Sequence, residues 1–340
     1  MSYPMLEKFE KVYVHPSQFS ERVYQDYLSG FSLKQINHKF HYDSFKQSQK
    51  WLKIHEQFSP ARQDDNCIDA YAKCFQQTAE ILDRVAVPQE HSSSLNLISL
   101  GCGGGEKDKL LVSHIFNIER ALTYYPVDVS LSLAIISAQN VRATFANLPV
   151  QPVVCDLLQS NDLISLINDK EKETRNIITF FGMIPNFSPD EILTILSNFL
   201  ERGDLLLFSA NLAPSSDYLQ GIQKVFPQYD NELTKEWLIT VLLDAGVERE
   251  DGTIQFQIEQ DSQNQHFQRI AAYFDLKKDV TFKLEDELIE WKNGERIRLF
   301  FSYRYTTPMI KEMLKSYGID VLNYWEPASQ EEGVYLCQKV

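Results

Sequence analysis

Four glycines within five residues restrict the fold of this chain more than any other feature of its sequence. They occupy positions 101 and 103–105, between an apolar run over 95–100 and apolar residues at helical spacing over 110–118. Glycine lets the backbone turn sharply and lets a ligand lie against it without meeting a Cβ atom. A plain strand-to-helix turn needs only one or two glycines. The pattern therefore predicts a strand, a ligand-binding loop and a helix.

Strands and helices alternate after this loop up to residue 209. The predicted strands cover 123–127, 151–155, 176–181 and 204–209, and the predicted helices cover 131–141, 162–168 and 189–200. One more helix is predicted over 66–86, before the loop. Such alternation implies a parallel sheet with helices on both faces, and ligands bind these sheets beyond the carboxyl ends of the strands.

The pattern changes after residue 212. Residues 213–246 have helical spacing, and 267–303 read as a meander of strands. Within the meander, Asn293-Gly294 predicts a hairpin between strands 288–291 and 297–301, because Asn-Gly is the preferred two-residue hairpin turn. A last helix over 308–317 and strands over 321–325 and 334–338 return the chain to a sheet. An ending of this kind, with an antiparallel last strand, suits a methyltransferase-type Rossmann fold.

We therefore predict an α/β fold with two parts. A Rossmann-like class I methyltransferase sheet is expected over 63–212 and 304–340. A second, smaller α+β substrate-binding domain is expected over 1–62 and 213–303.

The glycine loop does not match the phosphate-binding fingerprints. In a GxGxxG loop starting at Gly101 the third glycine would fall on Glu106, and no Gly-Lys-Ser/Thr follows, as a triphosphate loop requires. A cofactor without phosphate but with a charged methionine tail fits better. Backbone amides at the start of a helix can meet its carboxylate, and Lys107 adds positive charge there. The loop thus predicts S-adenosylmethionine (SAM) as the cofactor.

Two aspartates each follow a predicted strand. Asp128 can accept hydrogen bonds from both ribose hydroxyls, and Asp156 can accept one from the adenine amino group, with Leu157 as an apolar edge. A single aspartate after a strand is usually a helix cap, but two of them downstream of a glycine loop are more specific. The predicted cofactor-binding residues are Gly101, Gly103, Gly105, Lys107, Asp128, Asp156 and Leu157.

The charge and composition disfavour several partners. The formal net charge is −14, so the chain repels nucleic acid and anionic lipid surfaces, whereas a small cationic or zwitterionic substrate is compatible with it. No apolar run is long enough to span a membrane, and the first residues do not resemble a signal peptide, so we expect a cytoplasmic protein. The histidines show no HxH or HExxH spacing and the cysteines no CxxC pair, so no metal is predicted. The oligomeric state is left open.

Several segments, taken in order, resemble the histidine-specific SAM-dependent Nα-methyltransferases of ergothioneine biosynthesis, whose relatives methylate other amino acids, including prenylated tryptophan. Besides the glycine loop, Asp128 and Asp156, the similar segments are Lys39-Phe40-His41-Tyr42-Asp43, Phe58-Ser59-Pro60-Ala61-Arg62, Phe181-Gly182-Met183-Ile184-Pro185-Asn186-Phe187, Gln228-Tyr229-Asp230, and Ile297-Arg298 through Ser302-Tyr303-Arg304-Tyr305. The resemblance implies that Asn186 binds the amine or carboxylate of the substrate and that Tyr229 binds its carboxylate. It further implies that Phe58, Phe300 and Ser302 belong to the substrate-binding residues.

The departures from this family pattern bear on the substrate. Phe300 stands where the family has a glutamate that pairs with imidazole, and Phe58 stands where a tyrosine is expected. The loop before Asn186 is one residue shorter, with Pro185 in place of a glycine. A phenyl ring offers imidazole no hydrogen-bond partner. These changes disfavour histidine as the acceptor and favour an amine with a more apolar side chain.

The resulting functional prediction is a SAM-dependent N-methyltransferase that acts on the amino group of a small amino acid or related amine. Methyl transfer from a sulfonium requires no metal and no covalent nucleophile, so no catalytic residue is assigned. Two alternatives stay open: a non-catalytic SAM-binding protein of the same fold, and a nucleotide-dependent oxidoreductase.

Overall fold

The computed structural model describes residues 10–59, 64–84, 94–116, 121–168, 174–261 and 266–340. Within these residues an eight-stranded sheet has the order β1-β4-β3-β2-β5-β6-β13-β12, parallel except for β13, which is antiparallel to both β6 and β12. Its strands are β1 (Tyr13–Val14), β2 (Ser94–Leu100), β3 (Ala121–Asp128), β4 (Val153–Val154), β5 (Thr174–Phe181), β6 (Leu205–Asn211), β12 (Ile319–Trp325) and β13 (Glu332–Lys339). The predicted Rossmann-like sheet with an antiparallel last strand is thereby confirmed.

Helices cover both faces of this sheet. In chain order the helices are α1 (Ser20–Ser32), α2 (Phe45–Phe58), α3 (Asp65–Arg84), α4 (Glu106–Ile115), α5 (Leu131–Arg142), α6 (Leu163–Ile167), α7 (Pro189–Phe199), α8 (Tyr218–Val225), α9 (Glu232–Leu238), α10 (Thr240–Asp244) and α11 (Thr307–Ser316). Alternate residues of β2 join different cores: Leu97 packs with residues of α3 and α4, and Ile98 packs with residues of α7 and α11. Burial on both faces is typical of a central parallel strand. Residues 60–62 of a family-like segment, and the last residues of two predicted helices, 85–86 and 117–118, lie outside the described part of the chain.

The segment between β6 and α11 forms a separate layer. After α8, α9 and α10 come β7 (Gly252–Gln260), β8 (Gln268–Leu276), β9 (Val280–Leu284), β10 (Glu287–Trp291) and β11 (Arg296–Arg304). The strands β11, β8 and β7 form an antiparallel sheet in that order. Its core contains Phe31 of α1, whose ring stacks on that of Trp291 at 5.7 Å, and Trp237 of α9.

The predicted hairpin at Asn293-Gly294 is wrong. β10 pairs with β9 through a two-residue turn at Glu285-Asp286, and β11 pairs with β8 over its full length. Gly294 has a φ of 82° and does form a tight turn, but the turn carries the chain from one sheet to the other. Asn-Gly favours the local turn but does not choose the strand partners. Pairing with β8 is what aligns β11 with residues that share its apolar face.

The N-terminal segment reaches both layers. Strand β1 pairs in parallel with β4 at the edge of the main sheet, so Tyr13 and Val14, from the segment assigned to the substrate-binding domain, extend the Rossmann-like sheet. Helix α2 begins at a capping box formed by Ser44 and Gln47, and the hydroxyl of Ser48 lies 2.9 Å from that of Ser130 at the start of α5. In the described residues, every helix is too short or too polar to cross a membrane.

Candidate active site

The glycine loop between β2 and α4 takes a conformation that side chains would disturb. Gly101, Gly103 and Gly105 have φ angles of 66°, 52° and 76°. A Cβ atom on Gly105 would lie 2.4 Å from the hydroxyl oxygen of Ser137, and one on Gly103 would lie 3.1 Å from the indole of Trp51. The amide of Gly101 donates to the carbonyl of Val127 at 2.8 Å, which fixes the loop against β3. Glycine therefore keeps the loop backbone free of side chains where it passes close to Ser137 of α5 and to Trp51 of α2.

A cavity of about 630 Å³, which we call the larger cavity, opens at the carboxyl ends of β2, β3 and β4. Five of the predicted cofactor-binding residues line it: Gly101, Gly103, Asp128, Asp156 and Leu157. The other two, Gly105 and Lys107, line a neighbouring smaller cavity. The larger cavity has the size of a small-molecule or cofactor site.

Asp128 is the last residue of β3 and is buried. One of its carboxylate oxygens accepts from the amide of Ser130 at 2.9 Å, and the other accepts from the amide of Gly103 at 3.2 Å. Burial raises the pKa of Asp128 to about 6, although these amide hydrogen bonds act in the opposite direction. Each oxygen keeps capacity for a further bond on the cavity side, because a carboxylate offers about four acceptor positions.

Asp156 follows β4 and has two roles. One oxygen caps a 3₁₀ turn by accepting from the amide of Leu158 at 3.0 Å, and the other accepts from the ammonium of Lys39 at 2.8 Å. Lys39 also pairs with Asp26. Burial acts to lower the pKa of Lys39, but the two carboxylates outweigh it and the pKa is raised. The cap considered from sequence is thus present, and the same carboxylate also lines the larger cavity.

Lys107 points toward a buried carboxylate. Its ammonium donates to the hydroxyl of Tyr71 at 2.6 Å and to Glu332 at 3.3 Å, and it lies 4.3 Å from the centre of the Tyr71 ring. Burial acts to raise the pKa of Glu332, but Lys107 and the hydroxyl of Tyr71 outweigh it and the pKa is lowered. The positive charge predicted beside the glycine loop is therefore present and is balanced by Glu332.

The smaller cavity has a volume of about 240 Å³. The structure brings together on its wall all the predicted substrate-binding residues, which are Phe58, Asn186, Tyr229, Phe300 and Ser302. The two cavities adjoin, and the residues that line both are Tyr42, Trp51, Gly101, Gly103, Met183 and Asn186.

Asn186 ends a short 3₁₀ turn after β5 and stands at the junction of the two cavities. Among the described residues, its side-chain amide has no hydrogen-bond partner. Met183, on the same turn, packs over the glycine loop so closely that a Cβ on Gly101 would lie 2.8 Å from its side chain. The junction thus offers a half-buried amide with a free donor and a free acceptor.

The polar side of the smaller cavity is a connected set of side chains. The hydroxyl of Tyr229 lies 3.0 Å from that of Ser302 and accepts from the guanidinium of Arg304 at 2.9 Å. Because Arg304 donates to the Tyr229 oxygen, the proton of the Tyr229 hydroxyl is available to Ser302 or to a ligand. Ser302 and Arg304 are buried on the same face of β11.

The remaining wall is aromatic. The ring of Phe300 lies 5.8 Å from that of Trp237, 6.3 Å from that of Tyr229 and 4.9 Å from that of His38. The indole N–H of Trp237 donates to the carbonyl of His41 at 2.7 Å and so is used within the protein. Phe300 and Trp237 therefore present ring faces and no free polar group, whereas the Nδ1 atom of His38, behind Phe300, is buried without a hydrogen-bond partner among the described residues.

The lining residues that the sequence did not predict include Tyr42, Trp51, Met183, Arg304 and Glu332. Tyr42, Met183 and Arg304 lie within segments quoted for the family resemblance, so their motifs carried a signal. Trp51 and Glu332 come from α2 and β13, and only packing brings them to the loop.

The comparisons with known proteins agree with this geometry. A family model described as "Histidine-specific methyltransferase, SAM-dependent" matches residues 23–339. The N-methyltransferase imqF of Aspergillus flavus is 23% identical over 249 residues, which cover 72% of this chain and 67% of that protein. The N-methyltransferase fsqC of Aspergillus fumigatus is 21% identical over 251 residues, covering 71% and 66%. The match thus spans about two thirds of each relative.

One solved structure completes the comparison. The structure of a magnesium protoporphyrin IX methyltransferase from Synechocystis with bound S-adenosylhomocysteine (SAH) aligns at a TM-score of 0.42 and 12% identity. The alignment covers 88% of this chain and 97% of that chain. The family match covers nearly the whole sequence, from α1 to the end of β13. The chain belongs to the SAM-dependent, histidine-specific methyltransferase family.

Proposed function

We propose that this protein is an N-methyltransferase that uses SAM to methylate the amino group of a small amino acid or related amine, and that histidine is not its preferred acceptor. The observation that carries the proposal is the pair of adjoining cavities, one lined by five of the seven residues expected for the cofactor and the other by all those expected for the acceptor. Two relatives are named N-methyltransferases, which supports transfer to nitrogen.

The residues of the larger cavity fit SAM. The positions of Gly101 and Gly103 leave the loop backbone bare on the cavity side, where side chains would instead meet Met183 and Trp51. In this proposal Asp128 accepts from the ribose hydroxyls, and Asp156 and Leu157 contact the base. Lys107 lines the adjoining smaller cavity, at the start of the helix that follows the loop, and is proposed to face the methionine carboxylate from there. When bound, SAM supplies an electrophilic methyl group on its sulfonium.

The acceptor nitrogen must be neutral to react. The amino group of a free amino acid or simple amine is mostly protonated at neutral pH, so it must first release a proton to solvent or to a nearby acceptor. The free side-chain carbonyl of Asn186, at the junction of the cavities, can accept from that amino group and orient its lone pair. No general base is assigned, because orientation and exclusion of water are the contributions this reaction asks of a protein.

The acceptor side chain is proposed to be apolar or aromatic. Phe300, Trp237 and Phe58 surround the space where an imidazole would need hydrogen-bond partners. A site that lacks those partners gives histidine no advantage over a side chain of similar size that is less costly to desolvate.

We also propose the division of labour between the two parts of the chain. Residues 63–212 and 304–340 are proposed to bind mainly the cofactor, and 1–62 and 213–303 mainly the acceptor. Asn186 and Arg304 of the first part also reach the acceptor cavity, and Lys39 and Trp51 of the second also line the larger cavity. The partner is a small molecule, in keeping with the named relatives. A cytoplasmic location and the absence of nucleic-acid binding stay proposals that rest on the sequence and its net charge of −14.

Calorimetry and an amine panel test the proposal. Titration with SAM and SAH should show binding that Asp128→Ala weakens strongly, and incubation with SAM should methylate at least one apolar amino acid or amine faster than histidine. Tight SAM binding with no methylation across a broad panel would favour the non-catalytic alternative. The open smaller cavity argues against that alternative, because a protein that had lost its substrate is free to fill the space with side chains.

A further inference from the structure

Arg304 carries a buried positive charge without a counter-ion. Its side chain is 3% exposed, and among the described residues no carboxylate oxygen lies within 4.0 Å of its guanidinium. Its hydrogen bonds go to neutral oxygens: the carbonyls of Leu212 and Glu331 at 3.1 and 3.5 Å, and the hydroxyl of Tyr229 at 2.9 Å. A buried ion is costly unless another charge or a full set of hydrogen bonds compensates it.

The hydrogen bonding of this guanidinium is incomplete as well. Arginine has five N–H groups, and the three contacts of Arg304 leave at least two of them unused. The Nε–H is one of these, since it is buried without a partner among the described residues. Protein atoms enclose the Nε–H, so the donor left for an anionic group is the second N–H of Nη2, the nitrogen that also donates to Tyr229.

Three other charged side chains on the wall of the smaller cavity have partners within the protein. Lys107 pairs with Glu332. The carboxyl group of Asp108 lies below the glycine loop and accepts from the hydroxyls of Ser99 and Tyr124, both at 2.7 Å. Arg304 is thus the cation on this wall whose charge the described residues leave unbalanced.

The position of Arg304 tells which part of a ligand it would meet. Phe300, Ser302 and Arg304 follow one another on a single face of β11, and all three line the smaller cavity. The apolar end lies at Phe300 and Trp237, and the cationic end lies at Arg304, with Tyr229 bridging to Ser302. A ligand that lies along this face would have an apolar part at one end and an anionic group at the other.

We propose that Arg304 is a specificity-determining residue that binds an anionic group of the acceptor, a carboxylate, together with the hydroxyl of Tyr229. This inference rests on the proposed function, because it takes the smaller cavity to be the acceptor site. It narrows that function: an acid-bearing amine is bound, and the same amine without its carboxylate leaves Arg304 buried without a counter-ion.

The test compares matched pairs that differ only in the carboxylate: phenylalanine with phenethylamine, tyrosine with tyramine, and tryptophan with tryptamine. The variants are Arg304→Met, which removes the charge, and Arg304→Lys, which keeps it. Arg296→Met is the control, since Arg296 lies on the same strand, is exposed and lines neither cavity. The measurements are KM and kcat for both members of each pair, and the binding of 3-phenylpropionate to the SAH-loaded protein.

The wild-type protein should prefer the acid-bearing member. Arg304→Met should raise its KM by about 10- to 100-fold, the loss expected for a hydrogen bond to a charged group, and should leave the KM of the plain amine nearly unchanged. Arg304→Lys should keep part of the preference, and Arg296→Met all of it. Arg304 also ties the ends of β6 and β13 through its carbonyl contacts, and a purely structural role would weaken both members of a pair in parallel.

The remaining outcomes test either the role of Arg304 or the proposed N-methylation. If the wild-type protein has the same KM and kcat for both members of each pair, the proposed role of Arg304 is refuted, whereas the proposed N-methylation is not. Failure to methylate any member, and any amine of the broader panel, refutes the proposed function. In that case 3-phenylpropionate binding that Arg304→Lys weakens still supports the anion site, and the absence of such binding refutes it. Should Arg304→Met not fold, the wild-type pairs and Arg304→Lys give the same decision.

Discussion

Acidification is expected to weaken binding of the adenosyl part of SAM through the carboxyl group of Asp128. Burial raises its pKa to about 6 in the free protein. Ribose hydroxyls that donate to this group favour its ionised form, so its pKa falls on binding. The affinity is therefore greatest well above the pKa of Asp128 in the free protein, and below that pKa the affinity falls about tenfold per pH unit. Between pH 7.5 and pH 5 the affinity should fall about tenfold, or by about 1.4 kcal/mol.

The neighbouring groups should not produce this change themselves. Burial raises the pKa of Cys102 and of Tyr42, so both stay protonated over this pH range. The carboxylates beside Lys39 raise its pKa, so it stays charged. Burial lowers the pKa of His38 well below its usual value, so it stays neutral over most of the range. Of the groups of the larger cavity whose pKa is shifted, Asp128 is the one placed to titrate near pH 6.

Calorimetry with 5′-methylthioadenosine is the suitable assay, because this ligand has the base and sugar of SAM but lacks the amino-acid tail that titrates. The wild-type protein should show the tenfold loss between pH 7.5 and pH 5. Asp128→Asn should bind weakly with no such dependence, since an amide does not titrate and one of the amides of Gly103 and Ser130 loses its acceptor. A flat wild-type profile, or an equal slope in Asp128→Asn, would refute the reasoning.

Three further predictions concern single residues. Phe300→Glu should raise kcat/KM for histidine relative to phenylalanine by about tenfold or more, because it adds a partner for imidazole. The control Phe300→Leu should leave this ratio without such a gain. If Phe300→Glu does not raise the ratio either, Phe300 does not line the side-chain pocket of the acceptor. Asn186→Ala should lower kcat/KM by about 10- to 100-fold with SAM affinity unchanged; a matching loss of SAM affinity would show that it serves the cofactor instead. Gly105→Ala should lower the melting temperature and SAM affinity, because it adds a clash with Ser137 to a backbone cost of about 1–2 kcal/mol. Gly294→Ala, at a φ of 82° with open space around it, should show the backbone cost alone, and equal stability losses in the two glycine variants would contradict the clash.

The parts of the fold that sequence predicted are those set by local pattern. The apolar run before Gly101 is a central strand because both of its faces are buried, and the alternation up to residue 209 forms the parallel sheet. The prediction of a hairpin at Asn293-Gly294 was wrong because the pairing of strands depends on the apolar faces of whole strands, which a local turn pattern does not report. The turn that does join two paired strands, Glu285-Asp286, has an ordinary composition although Glu285 has a φ of 50°.

The site shows the same division. Asp128 and Asp156 could be expected to line one cavity because parallel strands end at one edge of a sheet, so side chains that follow them meet there. The cover over this edge comes from α2 and the segment before it, which bring Trp51 to the loop and Lys39 to Asp156. No local pattern links those positions to a glycine loop that lies about 50 residues further along the chain.

The shared wall between the cavities decides how variants of this protein are to be interpreted. Tyr42, Trp51, Met183 and Asn186 line both cavities, whereas Asp128 lines only the larger one and Phe300 only the smaller one. A change at Asp128 should therefore alter cofactor affinity first, and a change at Phe300 should alter acceptor choice alone. A change at Trp51 removes the indole that lies against Gly103, so it should alter both affinities together. Trp51→Leu thus tests the shared wall: a loss in one affinity only would show that the indole serves a single cavity.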